Sequence, residues 1–249
     1  MAVALEIRAL CKRFGAIEAI RDLSLRLETG ARHALIGPNG AGKTTLVNLM
    51  AGVLQPSAGS ICLAGQDVTR LSAENRVKNG LVRTFQINQL FRTLTVAESL
   101  CLAVDEHSGT GHRWRGHPHP SVRIRGIVAT LAHDFGLSAD LDRQTSELGY
   151  GQQRLLEIAL AIACKPRVLL LDEPAAGLPI AERGLVLSAI SRLPGDVAVL
   201  LIEHDMDLVF AFADMITVLA EGSVLLSGTA DAVANDPRVK AAYLGDDRT

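Results

Sequence analysis

The sequence predicts an α/β protein built on a mostly parallel sheet, and three observations carry that reading. Short apolar runs alternate with longer segments of helical periodicity. Two of the runs, Val168 to Leu171 and Val197 to Ile202, are unbroken stretches of Val, Leu, Ile and Ala, as in strands covered on both faces. A glycine-rich turn, Gly37 to Thr45, joins a third apolar run to an amphipathic segment. Composition agrees: 249 residues at 48% hydrophobic are enough for one sizeable core. Aromatics at 4% beside 22 glycines suit an Ala/Leu/Val-packed sheet better than an aromatic-rich β-sandwich.

Along the chain, Leu5 to Leu10 and Leu23 to Leu27 alternate apolar and polar residues as half-buried strands do. Arg32 to Ile36 is a third strand, and Leu46, Leu49, Met50 and Val53 mark the helix after the glycine turn. Ser60 to Leu63 and Leu81 to Phe85 read as further strands. Thr95-Val-Ala-Glu98 is a capping box that opens a helix towards Val104. Asp105 to Pro120 is polar and rich in Gly, His and Pro, a surface loop, and helical periodicity resumes from Val122 to Phe135. These features place a helical insertion between about Gln86 and Gly149. Met215 to Leu226 reads as two strands around a Glu221-Gly222 turn, followed by short helices to Leu244.

Other classes fall away. With 25 Lys+Arg against 27 Asp+Glu, the net charge of −2 does not favour nucleic acid as a partner. Cys11, Cys62, Cys101 and Cys164 form no CxxC pair and read as small buried hydrophobes in a reducing compartment. The N-terminus meets a charge at Glu6 and lacks a signal-peptide run, and no apolar stretch reaches the roughly 18–20 residues of a membrane span. The expectation is a soluble, cytoplasmic chain. His107, His112, His117 and His119 match no standard zinc spacing, and with Arg113, Trp114 and Arg115 they read as solvated loop.

The chemistry-bearing signal is Gly37-Pro38-Asn39-Gly40-Ala41-Gly42-Lys43-Thr44-Thr45, which satisfies G-x-x-x-x-G-K-[ST] between a strand and a helix. Its glycines let successive N–H groups converge on phosphate oxygens, and the helix adds the positive end of its dipole. Lys43 is placed to reach the β- and γ-phosphates, and Thr44 to give its hydroxyl to Mg²⁺. A second strand, Val168 to Leu171, runs into Asp172-Glu173. Parallel strands bring their C-terminal ends to one edge, where ligands bind. Asp172 there fits as a Mg²⁺ partner through water, and Glu173 as the group that polarises an attacking water.

Further segments carry a family resemblance over nearly the whole chain. Leu148-Gly149-Tyr150-Gly151-Gln152-Gln153-Arg154 resembles the signature loop of ATP-binding-cassette ATPases. Thr84-Phe85-Gln86 resembles their glutamine loop, Ala175-Ala-Gly-Leu178 the loop after the catalytic Glu, and Glu203-His204-Asp205 the switch-histidine segment. The resemblance implies one cassette over residues 1–249. That cassette would have a RecA-like P-loop NTPase core, an N-terminal antiparallel β region and a helical insertion over about 87–150 that ends in the signature. Arg83-Thr-Phe-Gln86 continuing to Leu90-Phe-Arg, Tyr150 in the signature, and Ala242-Tyr-Leu-Gly245 are most similar to an ATPase subunit of bacterial branched-chain amino acid importers. Urea, amide and aromatic-acid importers are similar, and lipopolysaccharide-type exporter ATPases or a weakly hydrolysing regulator are the alternatives.

Carried onto these positions, the family mechanism has two subunits sandwich two ATP head to tail, each site using one chain's phosphate loop and the other's signature. Leu148, Gly149, Tyr150, Gly151 and Gln152 would face the partner's ATP. His204 would keep water and Glu173 aligned, and Gln86 would join Thr44 and Asp172 at Mg²⁺. Phe14 would stack under adenine, with an ordinary half-buried phenylalanine as the alternative. The implied partners are a second such ATPase (a heterodimer favoured over a homodimer), two membrane permease subunits and, indirectly, a solute-binding protein. The implied location is the cytoplasmic face of the inner membrane. Gly149 departs from the family's serine and removes a hydrogen bond to an anion, worth roughly 1.5–3 kcal/mol in a desolvated site.

Overall fold

A computed structural model describes residues 2–84, 90–108 and 121–244. The chain divides into two compact units. The first takes Met1–Arg83, Arg167–Glu173 and Pro194–Thr249, and the second Thr84–Pro166 and Pro174–Leu193.

The first unit holds two sheets. Strands β1 (Val3–Phe14), β2 (Ile17–Glu28), β4 (Ala58–Leu63) and β5 (Gln66–Asp67) make an antiparallel sheet in the order β2-β1-β4-β5. The other six are β3 (Arg32–Ile36), β6 (Leu81–Arg83), β7 (Val168–Asp172), β8 (Ala198–Ile202), β9 (Met215–Ala220) and β10 (Ser223–Gly228). They order as β10-β9-β3-β8-β7-β6 and run parallel except for β10. β7 and β8 are buried at every position, which is why they read as unbroken apolar runs. Alternation along β3 sends Leu35 into one core, with residues of β1, β2, β4 and helix α1 (Lys43–Met50). Ala34 and Ile36 enter another, against α7 (Met206–Phe212), α8 (Ala230–Asn235) and α9 (Pro237–Leu244).

Arg76, in α2 (Ala73–Lys78), is wholly buried in this unit. It donates from Nη1 to the carbonyls of Leu49 and Met50, from Nη2 to Thr69 O at 2.7 Å and from Nε to Leu71 O at 3.2 Å. The interior cation thereby caps the last two carbonyls of α1, of which Leu49 O also accepts from the Gly52 amide at 3.3 Å.

The second unit is helical: α3 (Val96–His107), α4 (Val122–Asp134), α5 (Tyr150–Ala163) and α6 (Ile180–Ser191). The Thr95–Glu98 capping box forms in full at the start of α3. α3 runs to His107 with Asp105 buried, so residues 105–107 are helix and not the surface loop expected from Asp105; the rest of that expectation, residues 109–120, lies outside the described residues. Burial of one face holds the last turn helical despite its polar residues. All four cysteines are free; Cys101 is buried, whereas Cys11, Cys62 and Cys164 are only half-buried, which corrects the expectation for those three.

Candidate functional site

The site is built on the C-terminal edge of the parallel sheet. Ile202 of β8 is in register with Leu35 on one side and with Asp172 on the other. The turn that starts at Gly37 and the carboxylates at 172–173 therefore end their strands at one level, where open α/β sheets bind ligands.

After β3 the chain cannot continue as a strand. Gly37 has φ 153° and is packed so that a Cβ would run into the Leu219 carbonyl, so no larger residue fits. The Ala41 amide closes back on Pro38 O at 3.2 Å, and Gly42, at φ 102°, starts α1 in a conformation only glycine adopts without strain. Pro38 is half-buried, Asn39, Gly40 and Thr44 are exposed, and Thr45 is half-buried. Lys43 folds over the turn, with Nζ 2.6 Å from Gly37 O and 3.0 Å from Pro38 O. Its ammonium is thus held over the glycine turn, next to the N-terminus of α1, the kind of place that attracts an anion.

Asp172 is buried and accepts from Arg83 Nη2 at 2.6 Å, while Arg83 Nη1 donates to Asn48 Oδ1 on α1. Glu173 stands at φ 47°, and its amide donates to Ile202 O at 2.9 Å. A non-glycine residue there costs on the order of 1 kcal/mol, the kind of strain that concentrates at functional sites. Its Oε1 lies 3.9 Å from His204 Nδ1, and the same nitrogen is 3.7 Å from Oε2 of buried Glu203. His204 is thus an exposed ring between two carboxylates, with its backbone amide also donating to Glu203 Oε2 at 3.2 Å.

Phe14 ends β1, 46% exposed, with Lys12 Nζ 4.9 Å above its ring. Gln86 lies outside the described residues.

In the second unit, Leu148 is buried and Gly149 begins α5. The Gly149 amide donates to Gln152 Oε1 at 3.0 Å, and Gln152 Nε2 donates to buried Asp140 at 2.7 Å. The Gly151 amide donates to Glu182 Oε2 on α6 at 3.1 Å. Tyr150 is exposed but tethered: Arg154 Cζ lies 5.5 Å from its ring centre, and its hydroxyl is 3.5 Å from Ala176 O in the loop after Glu173. Arg154 is itself buried against Glu157 at 2.8 Å. Among the described residues no cluster of three or more His, Cys, Asp or Glu could hold a metal, and no helix is long and apolar enough to cross a membrane.

Asn48, Glu182 and Arg76 carry no motif, and sequence reading missed them; each acts through a contact between segments distant in sequence.

Comparison with known proteins matches residues 20–176 to the family described as ABC transporter. The chain belongs to that family. It is an ATP-binding cassette, the nucleotide-binding and ATP-hydrolysing type of subunit whose activity is coupled to transport. Residues 223–249 of the cassette also match the family described as branched-chain amino acid ATP-binding cassette transporter. A high-affinity branched-chain amino acid transport ATP-binding protein of Pseudomonas aeruginosa is 39% identical over 97% of the cassette and 98% of the relative. Its counterpart in Escherichia coli is 39% identical over the same shares, and a probable one in Archaeoglobus fulgidus 32% over 97% and 95%. A solved ATP-binding cassette of an ABC transporter, in its ADP conformation, superposes with a TM-score of 0.86 at 27% identity, over 98% of this cassette and all of the other chain.

Proposed function

We propose that the cassette powers an importer of branched-chain amino acids from the cytoplasmic face of the membrane. We read residues 1–249 as one cassette, with the helical insertion over about 87–150. The observation that carries the reading is the shared register of Leu35 and Asp172 on Ile202, which sets a phosphate loop and two carboxylates along one edge. The C-terminal match at 223–249 and the 39% identical relatives favour the branched-chain solute.

In this reading the loop amides of residues 37–45, the N-terminus of α1 and Lys43 hold the nucleotide phosphates, and Phe14 takes the adenine. The residues fit Mg²⁺ by their donor chemistry: an exposed hydroxyl at Thr44 and the amide of Gln86 are oxygen donors of the kind that ion prefers, and the Asp172 carboxylate would hold it through water. Bound there, Mg²⁺ supplies neutralisation of phosphate charge. Glu173 accepts a hydrogen bond from the attacking water and orients it towards the γ-phosphorus. The bond from the water oxygen to the γ-phosphorus forms as the γ-phosphorus–oxygen bond to ADP breaks; ADP leaves with the bridging oxygen, and the water's proton passes to the Glu173 carboxylate. His204 keeps Glu173 and the water aligned. Leu148, Gly149, Tyr150, Gly151 and Gln152 complete the site of a partner cassette, favoured as a second, different ATPase, and two permease subunits with a solute-binding protein choose the cargo.

Two experiments test this. Glu173→Gln should retain ATP binding and give a stable ATP-bound dimer without turnover; full turnover would refute the role of Glu173. Proteoliposomes carrying the cassette with its permease and solute-binding partners should take up leucine, isoleucine and valine on adding ATP. Uptake of urea in their place would refute the solute.

A further inference from the structure

Arg83 closes β6 in register with Leu170 of β7. Asp172, two residues further along β7, lies on the same face of the sheet, within reach of the guanidinium. One arm of Arg83 donates to Asp172 Oδ2 and the other to Asn48 Oδ1, both at 2.6 Å, and the Arg83 and Asp172 side chains are 11% and 9% exposed. Asn48 belongs to α1, the helix that opens with Lys43 and Thr44. A planar fork can serve two acceptors on separate elements at once, which a lysine ammonium on its flexible stem does less well. Thr84-Phe85-Gln86 follows directly in sequence.

We infer that Arg83 is a positioning residue of the nucleotide site: it fixes the Asp172 carboxylate against α1 and, by neutralising it, sets how strongly that carboxylate attracts Mg²⁺. The inference rests on the reading of Asp172 as a metal partner. A divalent ion and the guanidinium draw on one carboxylate in a place with little water, where screening is weak. The pair therefore trades metal affinity for a fixed geometry. A purely structural ion pair would hold β6, β7 and α1 together without touching the metal dependence.

The test is binding of ATPγS to the full chain by calorimetry across a Mg²⁺ titration, beside thermal melts with and without the Mg²⁺ complex. Arg83→Gln removes the charge and keeps a donor; its half-saturating Mg²⁺ concentration should fall by roughly tenfold. Its nucleotide-free melting temperature should drop, and Mg²⁺ with ATPγS should restore more of it than in the wild-type chain. Arg83→Lys keeps the charge and should stay within about twofold of wild type in Mg²⁺ dependence. Arg83→Met, read in the same way, replaces Arg83→Gln if that variant does not melt cooperatively. An unchanged or weakened Mg²⁺ dependence in the neutral variants overturns the inference. Asp172→Asn separates the two layers. If it keeps wild-type Mg²⁺ dependence, the metal reading of Asp172 falls and this inference with it. If it loses that dependence while Arg83→Gln shows no shift, only the role of Arg83 falls.

Discussion

The Gly151 amide donates to the Glu182 carboxylate at 3.1 Å, so α5, which opens with the residues proposed as the signature, begins against a carboxylate from α6. A Cβ at Gly151 would meet that carboxylate oxygen at 2.6 Å, which shows how closely the two are packed. If Gly151 serves a partner's γ-phosphate, Glu182 and that phosphate compete for one donor. Glu182→Gln should cost the chain less than about 1 kcal/mol of stability, the usual worth of a charge at a helix start. It should also strengthen ATP-dependent dimerisation. Sedimentation with ATP in a Glu173→Gln background reads this directly, and a weaker dimer would count against the competition.

Gly149 sits at φ −62° and ψ 158°, and an added Cβ would meet only Gln152 Oε1, at an ordinary 3.6 Å. Serine therefore fits, and as an N-cap it should stabilise α5 by a few tenths of a kcal/mol. In a heterodimer whose own-chain site is silenced by Lys43→Ala, Gly149→Ser should raise turnover at the partner's site by roughly tenfold. An unchanged rate in that background removes the idea that this glycine weakens the partner's site.

Burial lowers the pKa of His33 from 6.5 to about 4, and its Nε2 is 2.8 Å from Thr217 Oγ1. The folded chain thus prefers neutral His33, whereas the unfolded chain takes up a proton near pH 6.5. The contribution is whole above pH 6.5, is lost as pH falls towards 4, and stays flat below. Its size is on the order of 3 kcal/mol. Urea unfolding at a series of pH values should show this slope in the wild-type chain and a shallower one in His33→Asn. Parallel slopes would assign the acid sensitivity elsewhere.

Arg76→Met should cost about 3–5 kcal/mol in urea unfolding, because four carbonyls, those of Leu49 and Met50 buried and those of Thr69 and Leu71 part-buried, lose a charged donor. The carbonyls of Leu49 and Met50 close α1, so ATP affinity should weaken as well. A cost under 1 kcal/mol would mean that water replaces the guanidinium there.

The strands of the parallel sheet and the glycine turn between β3 and α1 were legible because their signals are local. β3 was expected at Arg32–Ile36 and stands there, and the runs at 168 and 198 are apolar because both faces are covered. β1 and β2 extend several residues beyond Leu5–Leu10 and Leu23–Leu27, since hairpin pairing, with register shifts along it, continues through polar positions. Helices α2, α6 and α7 were not read. α2 spans six residues and α7 seven, and α6 has apolar residues all round with no sharp stripe. In the site, Lys43 and Asp172 announced themselves by motif. Asn48 and Glu182 did not, because a hydrogen bond spanning 35 or 31 residues leaves no periodic trace.

Ile202 has a consequence for how such a protein can change. Leu35 and Asp172 pair with it, the Glu173 amide bonds to its carbonyl, and Glu203 and His204 follow it in the chain. One backbone position is thus the common datum for every group along this edge. A single-residue insertion in β8 would put all of them out of alignment together, whereas side chains around the datum can be exchanged one at a time. Variation in cargo, partner or rate has to be written in those side chains and in the segments beyond the edge, because the spacing itself admits no gradual adjustment.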